Sequence, residues 1–172
     1  MLPTTDLEAA VVGVLMQLTP DAAQPHLDHL ESSDFTDWRA AAVAKLLTDL
    51  CAAGLPSLDP AAVVGYALRT GAVSGEHKLK RIAEWAADAY RAAPIVPASL
   101  DFHVGLLVEA SYRRHVVMYA KRLLQAETSG ALDLLDEQIT AGYARLAAHR
   151  QRFTTTPTPL HVISNHVEQG AA

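Results

Sequence analysis

From Ser99 to Glu127 the chain has no proline, and Phe102, Leu106, Ala110, Val117, Ala120 and Leu124 recur at helical spacing throughout. Proline breaks or kinks a helix, so its absence together with this period predicts one long helix of about seven turns. Thr128-Ser129-Gly130 then reads as a turn and cap, after which Leu132, Leu135, Ile139, Tyr143 and Leu146 continue the helical pattern through Arg152. Two long helices joined by so short a link form an antiparallel hairpin. Such a hairpin cannot bury both of its sides against itself, so its free apolar face must meet earlier helices or a second copy.

The residues before Ser99 read as shorter, well-punctuated helices. Thr5-Asp6-Leu7-Glu8 fits a capping box ahead of the apolar run Ala9 to Leu15, with Glu8 reaching back to the cap. Pro20 and Pro25 interrupt the chain after that run. Ser32-Ser33-Asp34 offers caps for a helix carrying Val43, Leu46, Leu47 and Leu50 on one face, which Gly54 and Pro56 end. Asp59-Pro60 is a cap with proline at the first helical position, and that helix stops at Gly71. Ser74 is placed to cap a helix whose Leu79, Ile82, Trp85, Ala86 and Tyr90 share a side, before Pro94 and Pro97.

Half of the 172 residues are hydrophobic but only 6% are aromatic. Alanine dominates the apolar set and favours close helix packing over strands. The expected fold class is therefore all-α: a compact helical bundle over residues 1–98, a helical hairpin of the same domain over 99–152, and a disordered tail or linker stub over 153–172. The Thr-Pro alternation from Thr154 to Pro159 suits the last assignment. No apolar run is long enough to span a bilayer, and the expected location is the cytoplasm.

Few residues suggest chemistry. Net charge is -5, so any nucleic-acid contact must come from a local patch. The basic cluster is Arg113, Arg114 and His115 with Lys121 and Arg122. Ion pairs with Glu109 and a partner surface are favoured over a DNA-reading stripe. Gly71-Ala72-Val73-Ser74-Gly75-Glu76-His77-Lys78 lacks the joined Gly-Lys-Ser/Thr of a phosphate loop and reads as an interhelix turn. His26 and His29 flank Asp28 within one turn, which would suit zinc only if further ligands converged. His161 and His166 fall in the tail. Cys51 is expected to be a buried thiol, and Trp38 and Trp85 are expected in the core, Trp38 being the better interface anchor if exposed. No catalytic residue, cofactor or metal ligand is nominated.

The order of elements resembles the N-terminal collar domain of DnaB-type replicative DNA helicases, over residues 5 to 152. Glu8-Ala9-Ala10-Val11-Val12-Gly13-Val14-Leu15 is similar to that family's Glu followed by a Val-Leu-Gly run, with its glycine displaced. Asp34-Phe35, followed by Val43, Leu46, Leu47 and Leu50, and then Leu50, Gly54 and Leu58-Asp59, match further family positions. Val108-Glu109 with Arg114 resembles the Val-x-Glu and basic pair of the long helix. Thr36, Ala40 and His103 stand where the family has an aromatic residue, a histidine and a tyrosine.

The resemblance implies a non-catalytic, self-associating interaction module of DNA replication, a dimer or a hexameric ring, that contacts replicative helicase, primase or a helicase loader in the primosome. It implies an interface formed by Phe102, Leu106, Arg113, Arg114, Leu132, Leu135, Ile139, Tyr143 and Leu146. The helicase motor and its phosphate loop are expected to be missing from this chain. Two other readings stand beside it: an accessory or inhibitory factor acting on a host helicase, and a helical DNA-binding regulator using the Arg113 to Arg122 stripe. An enzyme built on the His26 and His29 pair is a further one.

Overall fold

A computed structural model of the chain describes residues 4–93 and 99–155, with side chains from 7 to 152 within those ranges. Every regular element among the described residues is helical. Contacts divide the chain between Leu107 and Val108 into two compact units.

The first unit holds α1 (Thr4–Leu15), α2 (Pro20–Leu27), a 3-10 turn (Ser32–Asp34), α3 (Trp38–Ala52), α4 (Pro60–Thr70), α5 (Glu76–Ala92) and the start of α6 (Leu100–Ser129). Helix α5 lies at its centre and packs on α1, α3 and α4. Val11, Val12, Leu15, Val43, Leu47, Leu50, Val63 and Ile82 are sealed from solvent, each large side chain contributing about 2 kcal/mol of apolar burial. The alanine bias has a direct structural role, because Ala40, Ala44, Ala67, Ala86 and Ala89 are buried where helices approach. Gly13 carries the same logic further. A Cβ there would run into the Ala89 carbonyl oxygen and come within 2.8 Å of Ala93 Cβ, so the α1–α5 crossing requires glycine.

Several cap assignments differ from the sequence reading. Glu8 does not reach back along α1. Its carboxylate is buried and accepts from the Thr36 N–H (2.7 Å), the Thr36 hydroxyl (2.6 Å) and the Asp37 N–H (2.9 Å). Ser32-Ser33-Asp34 forms the 3-10 turn rather than the cap of α3, with the Glu31 N–H donating to Asp34 Oδ2 at 2.8 Å. The cap of α3 is Asp37, which accepts from the Arg39 N–H at 2.8 Å. Gly75, not Ser74, precedes α5. Pro20 occupies the first position of α2 and Pro25 sits inside it, so these prolines start and tolerate a short helix rather than interrupt one. Asp59 caps α4 through the Ala62 N–H, and Gly71 ends it at φ 67°, both as the sequence indicates. Cys51 is half-buried, not fully buried.

The second unit holds α6 from Val108, α7 (Leu132–Glu137), a π-helical turn (Gln138–Gly142) and α8 (Tyr143–Thr155). The single helix expected from Leu132 to Arg152 is thus interrupted. Its wider turn inserts a residue into the register and brings Gly142 against the ring of Tyr119, where a Cβ would lie 2.6 Å from Cε2. Helix α8 extends through Thr155, so the first residues assigned to the tail are helical. The rest of that tail, with His161 and His166, lies outside the described residues.

Candidate interaction surface

The second unit is a two-helix layer. Gly130 (φ 69°) reverses the chain between α6 and α7, and the Ser129 hydroxyl donates to the Ala126 carbonyl at 2.6 Å to close the end of α6. The faces turned towards each other carry Ser111, Ala126, Gly142 and His149, all buried, with half-buried His115 and Tyr119. His149 on α8 stacks on Tyr112 at 6.1 Å between centroids and lies 4.4 Å from the His115 ring. His115 Nδ1 also lies 2.9 Å from the Ser111 carbonyl oxygen. Aromatic and imidazole rings therefore fill the space between α6 and α8 where aliphatic side chains were expected.

The apolar stripe that predicts α6 is largely its outer face. Val117, Ala120 and Leu124 are exposed, and Leu124 keeps 68% of its surface. On the returning segment Leu132 (75%), Ile139 (49%) and Tyr143 (63%) are exposed, whereas Leu135 and Leu146 are half-buried. The division runs within each helix, since Leu132 and Leu135 differ in α7 and Tyr143 and Leu146 differ in α8, so the apolar positions of the returning segment do not share one buried face. Tyr143 and Leu146 line an open cleft of about 280 Å³ with Tyr112, Ala147, Arg150 and Gln151. Val116, Met118 and Leu134 are further exposed apolar residues that the spacing argument passed over, because they fall off the stripe.

Phe102 and half-buried Leu106 belong to the first unit, so the nine residues named from sequence are not gathered in one unit. Arg113 is exposed and pairs with Glu109, while Arg114 is half-buried. The basic cluster is not a continuous stripe: His115 faces His149, while Lys121 and Arg122 are exposed, Arg122 beside Arg145 at a small cleft next to Gly142. In the first unit the His26 imidazole lies 3.1 Å from the Asp101 carboxylate. Among the described residues no three metal-binding side chains converge. Trp38 corrects a core assignment, since 37% of it is exposed, and Trp85 is half-buried.

No protein-family model matches the chain, and no curated protein matches it by sequence. Among solved structures, the N-terminal domain of DnaB helicase from Mycobacterium tuberculosis superposes with a TM-score of 0.67, over 81% of this chain and 96% of that one, at 20% identity. The chain has the fold of a DnaB N-terminal domain. At that identity the likeness concerns fold. The DnaB-like fold accommodates a buried Glu8, a histidine pair between α6 and α8, and an exposed Trp38.

Proposed function

We propose that this chain is a non-catalytic interaction module of DNA replication that associates with itself through its second unit, as a dimer or a hexameric ring, and contacts helicase, primase or loader. The observation that carries the reading is the exposed apolar surface on both helices of that unit: Leu124 on α6 with Leu132, Ile139 and Tyr143 on the return. Exposed apolar side chains on both helices of one unit support a surface that is covered in the working assembly. Its likeness to a helicase N-terminal domain supports a replication setting, and no described helix is long and apolar enough to cross a membrane. We place the protein in the cytoplasm and assign it no cofactor.

Light scattering tests this directly. The native chain is expected to run as a dimer or a larger closed assembly. Ile139→Asp and Leu132→Asp, at positions where the single copy leaves the side chain in solvent, are expected to give folded monomers. A monomer at high concentration, or variants that stay assembled, would overturn the self-association. A pull-down with helicase and primase then tests the partner assignment.

A further inference from the structure

Trp38 opens α3 immediately after its cap, and α3 packs against α5 so that the indole lies beside Lys78 and Arg81. Lys78 Nζ is 5.6 Å and Arg81 Cζ 5.1 Å from the ring centroid, both over the ring. These two positions share a side of α5, three residues apart, on its solvent face. Neither cation forms an ion pair among the described residues, whereas Arg39, Lys45, Lys80, Arg91 and Arg113 each do. The nearby carboxylate of Asp37 attracts Arg81 but forms no ion pair with either cation, and both of its oxygens accept from the Arg39 side chain, at 3.0, 3.1 and 2.6 Å.

The geometry points to a receiving site for an acidic peptide segment of a partner protein, with Arg81 and Lys78 taking a carboxylate and the exposed indole taking an adjacent apolar side chain. A guanidinium held over an aromatic ring by a cation–π contact still has N–H donors for a carboxylate, and the contact reduces the entropy that a free arginine loses on binding. Tryptophan and arginine are also the side chains that most often dominate interface energetics. A nucleic-acid strand fits less well. A base would have to displace the cations already over the ring before it could stack there. This site belongs to the first unit, whereas the surface proposed for self-association belongs to the second.

The test uses the full chain with Trp85→Phe, leaving Trp38 as the only indole, and three probes: a short peptide of Glu, Asp and Leu, the same peptide with Gln and Asn for the acids, and a short oligothymidylate. The acidic peptide is expected to change Trp38 fluorescence saturably, and Arg81→Gln or Lys78→Gln is expected to weaken it by about tenfold, with affinity falling as salt rises. Calorimetry on the unsubstituted chain gives the same reading if Trp85→Phe perturbs folding. No binding of the acidic peptide, equal binding of the neutral one, tighter binding of the oligonucleotide, or indifference to Arg81→Gln would each overturn the proposal. None of these outcomes alters the mass measured by light scattering, so the two proposals fail separately.

Discussion

The carboxylate of Glu8, buried within α1, accepts both hydrogen-bond donors of Thr36, a residue 28 positions further along the chain. Its second oxygen accepts the Asp37 N–H at 2.9 Å, so one side chain fixes α1 to the entry of α3. Hydrogen bonds to a buried charge are strong, and leaving their donors unmatched is costly. Glu8→Gln puts an NH2 group where an acceptor is needed and is expected to cost about 2 kcal/mol, while Glu8→Ala, which also leaves a cavity, is expected to cost about 4 kcal/mol. Denaturant unfolding followed by circular dichroism measures both. Equal stability of Glu8→Ala and the parent would sink this account.

Gly13 faces the α5 backbone at Ala89, where the neighbouring atom is a carbonyl oxygen that cannot swing aside. Gly13→Ala is a favourable change for an isolated helix, yet here it is expected to destabilise by about 3 kcal/mol through forced separation of α1 and α5. Gly65, with open space around its Cβ direction on exposed α4 surface, is the control. Gly65→Ala is expected to stabilise by about 0.5 to 1 kcal/mol, and a thermal melt of the two variants should move in opposite directions.

Two helix caps set an acid limit to stability. Hydrogen bonds from the Arg39 side chain hold Asp37 below its ordinary value of 3.8. The Ala62 N–H, and then the Ser57 hydroxyl, do the same for Asp59. A carboxylate whose pKa is lower in the folded state adds stability that is complete above the unfolded value and is lost as pH falls through the folded one. The double variant Asp37→Asn, Asp59→Asn keeps capping ability but not charge, so it is expected to be less stable than the parent at neutral pH. The two proteins should converge in strong acid. Stability measured from pH 7 downward checks this, and parallel curves would contradict it.

In the second unit the contact between Gly142 and the Tyr119 ring governs how closely α8 approaches α6. Gly142→Ala is expected to push the helices apart, costing about 2 kcal/mol, and to weaken self-association with it because the outer apolar faces shift. Tyr119→Ala in the same chain makes room and should recover part of the loss, a coupling that a double-mutant cycle reads directly. Additive effects of the two changes would show that the contact does not control the packing.

Much of the architecture was legible in the residues themselves. Asp59-Pro60 and Gly71 mark the start and stop of α4, and the proline-free stretch from Ser99 marks α6, because caps and period are local properties that act within a turn or two of chain. The all-α class and the compact packing follow from an alanine-rich interior for the same reason. The Asp-Phe pair at Asp34-Phe35 and the leucines of α3 were enough to suggest the DnaB-like arrangement that the superposition bears out in fold.

Which side of each helix faces what was settled by packing alone. Helical spacing defines a stripe but not its partner, so Val117 and Leu124 were legible as apolar positions and not as an outer face. The π turn at Gln138–Gly142 has no sharp local signature, since it answers to a ring on another helix. Glu8 looked like half of a capping box because its true donors, Thr36 and Asp37, are brought to it only when α1 and α3 pack. Trp38 looked like core for a related reason: its size argues for burial, but the partners that let it stay partly in solvent, Lys78 and Arg81, arrive from α5. Caps and periods are settled by neighbours in sequence, whereas a hydrogen bond to a distant residue or a cation over a ring depends on where two helices meet.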